Sequence, residues 1–500
     1  MLLFGIFCLL TLPWLNPFTF GPTSAVVPWM FSMACAATVA GVGAGIGTLT
    51  ETGRVRQTWV QVIAGAWLAA ALVSAIIGML QYFGVSATFA PWVNGTGLGE
   101  AYGNLRQRNQ FATLMALGLV ATGWWTLLGV SWRWAIMPTV LLAFGSAASS
   151  SRTGLLQWML FIGLAAQWRG QHRADVRSVL WVAALAYPVA AVALPWLAGV
   201  DPLSSGAWAR LRAGDSACMG RLTLWSNVLH LIAQKPWLGW GWGELDYAHF
   251  VTLYPGERFC DILDNAHNLP LHLAVELGIP FSIGACGAGL WAVMRARPWR
   301  ETDPVRLLAW AVLALIGLHS LLEYPLWYGP FQIAAALSIW LLWRTPAPTP
   351  LVIHRHLPNR ELGRVNYALF AVLFIAITGY TAWDYWRISQ LYLATNERAS
   401  VYRENTLDKV GDSWLFRDQV QFAELTTMVL TPDNSAYVHE LGQRLLHFSP
   451  EPRVIEKLIA SALLLGKDAE AAYYLVRYQA AFPEAHARWI ALSDSSHKTP

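Results

Sequence analysis

Apolar runs long enough to cross a lipid bilayer alternate with short polar breaks from the first residue to Trp383. A helix rises 1.5 Å per residue, so about 20 apolar residues span the hydrocarbon layer. The pattern predicts spans over 1–18, 24–47, 58–80, 109–130, 134–150, 153–168, 178–198, 267–293, 307–321, 327–343 and 365–383. The stretch 307–343 is divided because His319, Glu323 and Pro325 interrupt it. The run 1–18 counts as a span and not a signal peptide, since it lacks a basic leader and a small-residue cleavage site. Lipid offers open backbone groups no hydrogen-bond partner, so the spans must be helices. The expected fold class is all-α: a polytopic membrane protein of about eleven transmembrane helices.

Beyond Trp383 the pattern becomes amphipathic. Of the chain's 64 charged residues, 27 fall within the 117 from Asp384 to Pro500. Two domains are expected: a membrane domain over 1–383, which includes a large polar loop at 199–266, and a helical domain over 384–500. Glu451–Leu465, a turn at Gly466-Lys467 and Asp468–Ala481 predict a helical hairpin. Ala462, Gly466, Ala469 and Ala472 give it a tetratricopeptide-like spacing. One such unit cannot bury its own face and must stack on neighbours. It reads either as a cap on the membrane domain or as a docking surface for a partner protein.

Composition supports a membrane protein. Of the 500 residues 55% are hydrophobic and 13% charged, where soluble chains carry roughly a quarter charged. The 28 tryptophans suit membrane interfaces. One set of short loops holds Arg54, Arg56, Arg133, Arg169, Arg173, Arg177, Arg295, Arg297, Arg300, Arg306, Arg344, Arg355, Arg360 and Arg364. The opposite short loops hold only Arg106, Arg108 and Arg152. The positive-inside rule makes the first set cytoplasmic. The 199–266 loop and the C-terminal domain then face outward, into the periplasm of a Gram-negative cell. Cys218 and Cys260 share that loop, where a disulfide and two free thiols are both open readings. No spacing suggests a structural zinc, and nothing suggests nucleic-acid binding.

The outward face also gathers the candidate chemistry. Residues 221–235 place Leu222, Trp225, Val228, Leu229 and Ile232 at helical spacing, which predicts an interfacial helix backed by the glycine-rich turn at Gly239–Gly243. Arg221 either pairs with Asp215 or binds phosphate, for which a planar, permanently charged fork is suited. Arg152 lies in a very short turn at membrane depth, where an arginine is costly and points to function. Arg106 and Arg108 either touch the same anion or anchor a helix end. His267, flanked by Asp264, Asn265 and Asn268, is a candidate general base or a helix-end histidine, with Asp264 or Asn265 as a possible N-cap. His319 and Glu323, four residues apart, share a helix face if the helix persists that far, as partners behind the site or as a structural pair. Glu244, Asp246, Asp261 and Asp264 leave a metal site open as a weaker reading.

The ordered segments Asn104–Gln110 (NLRQRNQ), Ser150–Gly154 (SSRTG), Arg221, Pro236–Gly243 (PWLGWGWG), Asp264–Asn268 (DNAHN) and Glu323–Leu326 (EYPL) resemble bacterial PglL-type protein O-oligosaccharyltransferases. These belong to the O-antigen ligase and polymerase superfamily, and the resemblance spans almost the whole chain. It implies a GT-C-like helical bundle in the bacterial inner membrane, with its active site on the periplasmic side. It also implies en bloc transfer of a preassembled glycan from undecaprenyl diphosphate to Ser or Thr of periplasmic or pilin-like proteins, without a cofactor or metal. His267 would activate the acceptor hydroxyl. Arg152 and Arg221, helped by Arg106 and Arg108, would hold the diphosphate, and Asp264, Asn265, Asn268, His319 and Glu323 would shape the site. An O-antigen ligase acting on lipid A core, a glycan polymerase and a non-enzymatic transporter of lipid-linked glycans are the alternatives.

Overall fold

The computed structural model of the chain describes residues 1–46, 53–201, 217–345 and 360–496. Among these residues the secondary structure is helical throughout, without a strand. The chain divides into two compact units, Met1–Gly214 with Val293–Ala382, and Asp215–Ala292 with Trp383–Pro500.

In the first unit the helices are α1 (Leu2–Leu15), α2 (Val26–Ile46), α3 (Gly53–Tyr82), α4 (Arg108–Leu127), α5 (Trp132–Ala148), α6 (Arg152–Ala165) and α7 (Arg173–Leu197). Helix α4 is buried on every side, from Gln110 to Trp124, because α3, α5 and α6 surround it. An all-round apolar helix of this kind belongs in a core. Small residues let the helices approach. A Cβ on Gly118 would stand 2.5 Å from the Ala71 Cβ, and one on Gly154 would stand 2.5 Å from the Ala112 Cβ. Close approach at small residues is how helices pack without a hydrophobic drive between them. That contact fixes the start of α6 beside α4.

In the second unit α8 (Arg221–Gln234), α9 (Leu245–Val251) and α10 (Leu269–Leu277) pack around Leu224, Val228, Leu231, Leu263 and Ala266. Cys218 and Cys260 are joined by a disulfide. Helix α11 (Ile279–Ala296) follows at once. The run predicted as one span over 267–293 is therefore two helices. They part at Gly278, whose φ of +90° ends α10. Returning to the first unit, α12 (Pro304–Ser320) and α13 (Gly329–Arg344) pack together, with α12 also against α4 and α6.

The remaining helices are α14 (Arg360–Ser389), α15 (Thr406–Val410), α16 (Arg417–Thr427), α17 (Ser435–Leu446), α18 (Pro452–Leu464), α19 (Asp468–Ala481) and α20 (Pro483–Ser496). Helices α16 to α20 stack in succession over a core of Leu441, Leu445, Ile455, Leu458 and Tyr478. Gly466, at φ +70°, turns α18 into α19 where the sequence predicts a hairpin.

By length and composition three described helices can cross a membrane: Gln57–Tyr82, Arg173–Leu197 and Ile279–Arg300. Leu2–Leu15, Val26–Val42 and Pro304–Ser320 are apolar but shorter. The count of strongly apolar helices thus falls below the eleven runs, because most of the others are shorter: α1 and α6 have 14 residues, α5 and α12 have 17, and α13 has 16. Helix α11 has the opposite character to the buried α4. Ile283, Leu290 and Trp291 are each more than 60% exposed, as expected of a helix whose surroundings are lipid.

Candidate active site

Four candidate residues sit where a helix begins. Arg108 opens α4 behind Gln107, whose side-chain oxygen accepts a hydrogen bond from the Gln110 N–H at 2.7 Å. Arg152 opens α6 behind Ser151, whose hydroxyl accepts from the Gly154 N–H at 2.9 Å. Arg221 opens α8 behind Gly220. His267 precedes α10, which is capped by Asn268 through the Leu271 N–H at 3.0 Å. Neither Asp264 nor Asn265 is that cap. Free N–H groups and the positive end of the helix dipole favour anions at such places.

Three of these segments also carry strained backbone. Arg106, Ser150 and His267 adopt φ of +60°, +52° and +50°. Left-handed geometry at side-chain-bearing residues is uncommon and persists only where surroundings impose it. At His267 the surroundings are visible. Asn265 Oδ1 accepts from the His267 N–H at 2.9 Å, and the Trp225 indole N–H donates to the Ala266 carbonyl at 3.1 Å.

In the first unit, Arg106 and Arg108 are engaged by neighbouring chain. Arg106 donates to the Pro17 carbonyl at 2.5 Å and to Asn94 at 3.2 Å. Arg108 pairs with Glu100 and donates to the Tyr102 hydroxyl at 2.7 Å. These bonds fit the helix-anchoring reading, and Glu100 offsets the Arg108 charge. Asn109 links the start of α6 to the segment after α12. Its Oδ1 accepts from Ser151 at 2.6 Å and its amide donates to Glu323 at 2.8 Å. One turn on, Thr113 meets the His319 Nδ1 at 2.9 Å and donates to Gln157 at 2.9 Å. Helix α12 ends at Ser320, so His319 and Glu323 do not lie on one continuous helix. The Glu323 N–H still reaches the His319 carbonyl at 2.8 Å, and both side chains turn to α4. His319 and Glu323 line a cleft with Gln107, Gln110, Tyr324, Pro325 and Tyr328. Asn109 and Thr113 escaped the sequence reading, which weighed the arginines of that segment alone. The signal was Asn109 and Thr113 four apart, one turn along the same face of α4.

In the second unit burial raises the pKa of Asp264, and the charge interaction with His267 offsets part of that rise. Asp264 in turn acts on Asp246, a half-buried carboxyl on α9. Desolvation raises Asp246 from 3.8 to about 7, with Glu244 and Asp264 adding to the shift. Sequence reasoning weighed Asp246 only as a metal ligand. Among the described residues no group of three or more His, Cys, Asp or Glu side chains forms a metal-sized cluster. Glu276 and His272 approach to 3.5 Å in the interior of α10. The expected pairing of Arg221 with Asp215 lies outside the described residues.

Three family models match the chain in succession: "Protein glycosylation ligase" over 101–126, "O-Antigen ligase" over 137–285, and "Virulence factor membrane-bound polymerase, C-terminal" over 307–496. Two relatives from Acinetobacter baylyi are similar to it. One is a "General O-oligosaccharyltransferase", 24% identical over 67% of this chain and 58% of its own length. The other is a "ComP-specific O-oligosaccharyltransferase", 24% identical over 47% of this chain and 42% of its own. These matches support a place for the chain in the O-antigen ligase superfamily, beside its PglL-type members. The chain spans about half the length of these relatives. No solved structure matches it. Within the family's matched segments, the ligase model contains Arg152, Arg221 and His267, and the glycosylation-ligase model contains Arg106, Arg108 and Asn109.

Proposed function

We propose that this protein is an O-oligosaccharyltransferase that moves a preassembled glycan en bloc from undecaprenyl diphosphate to a Ser or Thr hydroxyl of a periplasmic or pilin-like protein. The observation that carries the reading is His267. In a chain similar to the ligase family, an imidazole is held in left-handed backbone at a helix start, within electrostatic reach of Asp264. The imidazole takes the proton of the acceptor hydroxyl as its oxygen attacks the anomeric carbon. The bond between that carbon and the diphosphate oxygen breaks with inversion, and the leaving group gains negative charge. Arg152 and Arg221, each opening a helix, neutralise that charge, and fixed donors do so better than mobile water. Arg106 and Arg108 support the site through their loops, and Asn265, Asn268, His319 and Glu323 shape it.

The same reading places eleven transmembrane helices within 1–383 in the inner membrane. It puts the 199–266 loop and a tetratricopeptide-like domain over 384–500 in the periplasm. The matches to O-antigen ligase and polymerase models favour a second reading, in which a lipid A core sugar or a growing glycan is the acceptor.

Membranes carrying a lipid-linked glycan, mixed with candidate acceptors, test both. Glycan should appear on protein, and a normally expressed His267→Ala variant should lose transfer by about 1000-fold, beyond the 100-fold lower bound for a general base. Full glycosylation by that variant removes the proposed base and leaves a transporter open. Glycan found only on lipid A core moves the assignment to the ligase reading.

A further inference from the structure

The two-turn helix α9 belongs to two hydrophobic cores at once. Leu245 and Ala248 are completely buried among Leu224, Val228, Leu231, Leu263 and Ala266. Ala266 is the residue before His267. The other side of the helix enters the core of the C-terminal helices, where Phe250 is 2% exposed and Tyr247 and Val251 pack beside it. Polar contacts from the C-terminal helices hold both ends of α9. At its start, His447 Nδ1 lies 2.7 Å from the carboxylate of Glu244, the residue that precedes the helix. The His447 ring stacks on Tyr247 with centroids 3.8 Å apart. At its end, Arg477 donates to the Val251 carbonyl at 2.7 Å. The last carbonyls of a helix lack intrahelical donors and carry the negative end of its dipole, so a guanidinium there both caps and stabilises.

On its loop side α9 reaches the candidate base by a second route. His249 meets the Phe259 carbonyl at 3.1 Å and the Tyr254 hydroxyl at 2.8 Å. Burial lowers the His249 pKa to about 3, so the ring is neutral and can donate at one nitrogen while accepting at the other. The segment from Tyr254 to Ala266 is thus held to α9, and α9 is held to the C-terminal helices. A seven-residue helix is too short to be stable alone, so its position is set by what grips it.

We infer that His447 and Arg477 are positioning residues for the transfer reaction: through α9 they set the place of His267. The C-terminal helices are then part of the catalytic frame. The inference rests on the reading of His267 as the base.

The test uses the full chain in lipid nanodiscs, with a lipid-linked oligosaccharide and an acceptor protein. Hydrogen exchange is measured alongside kinetics on the His447→Ala/Arg477→Ala double variant and on the conservative pair His447→Asn/Arg477→Lys. The expected result is a fall in kcat of about 10- to 100-fold, as a misplacement of the order of 1 Å costs. KM for donor and acceptor should change less than about twofold, the mark of an interaction that matters in the transition state and not in ground-state binding. Amides of 259–267 should exchange faster, while those of α18 keep wild-type protection and report an intact tail. The conservative pair should recover most of kcat. A rise in acceptor KM at unchanged kcat would instead make the tail a docking surface and overturn the inference. So would wild-type exchange across 259–267. Loss of protection in α18 would also overturn it, because the two residues would then be shown to hold the tail fold and not α9. The exchange arm separates this inference from the function itself: if His267→Ala retains full transfer while 259–267 still loosens, the catalytic reading fails and the coupling stands.

Discussion

Asp246 shows how one residue can report its surroundings. Its carboxyl is pushed up to about 7 from 3.8, first by desolvation and then by Glu244 and Asp264. The folded pKa lies above the unfolded one, so between about pH 4 and pH 7 the folded state holds a proton that the unfolded chain has released. Stability therefore falls as pH rises through that window. Asn cannot ionise, so Asp246→Asn should gain in Tm relative to the native protein as pH rises from 5 to 8. Parallel Tm curves for the two proteins in detergent would contradict it. The helix-start arginines were legible at this scale from residue type and from their place at the edges of apolar runs. Their partners were not. Asn109 bonds to Ser151, 42 positions away, and to Glu323, 214 positions away, and no local pattern encodes such a pairing.

Among the elements, the turn at 236–243 and the α10–α11 junction form a backbone clamp. The Trp240 N–H reaches the Val275 carbonyl at 2.8 Å, the Gly241 N–H reaches Glu276 at 3.0 Å, and the Ile279 N–H reaches Pro236 at 2.8 Å. Two glycines make this possible. A Cβ on Gly278 would stand 2.1 Å from the Trp237 carbonyl oxygen, and one on Gly239 would stand 2.3 Å from that of Glu276. Both have positive φ, and the atoms they would strike are backbone and cannot swing away. Gly278→Ala should cost roughly 1–3 kcal/mol and lower Tm by several degrees. Gly284→Ala is the control, since a Cβ there meets nothing within 4 Å and alanine favours the helix. Equal Tm for the two variants would refute the clamp. The sequence pattern predicted a single span over 267–293 because hydropathy does not register the φ of Gly278.

At the scale of the whole molecule, the proposed topology is open to a direct experiment. Arginines dominate the loops that the proposal assigns to the cytoplasm, and the proposed eleven spans would send the C-terminal helices to the other side. A periplasm-active reporter fused after Pro500 should be active. An inactive but well-expressed fusion would reverse the orientation or change the span count. The disulfide between Cys218 and Cys260 fits an oxidising side for the loop that carries it.

Helical character, the apolar runs and the C-terminal hairpin followed from the sequence alone, because helical periodicity and turn glycines act over a few residues. Which side chains meet was decided only in three dimensions. The bridge from Asn109 to Glu323, the break at Gly278 and the sharing of α9 between two cores depend on residues far apart in sequence. A polar group taken from water must find a partner wherever packing brings one, and packing is a property of the assembled helices.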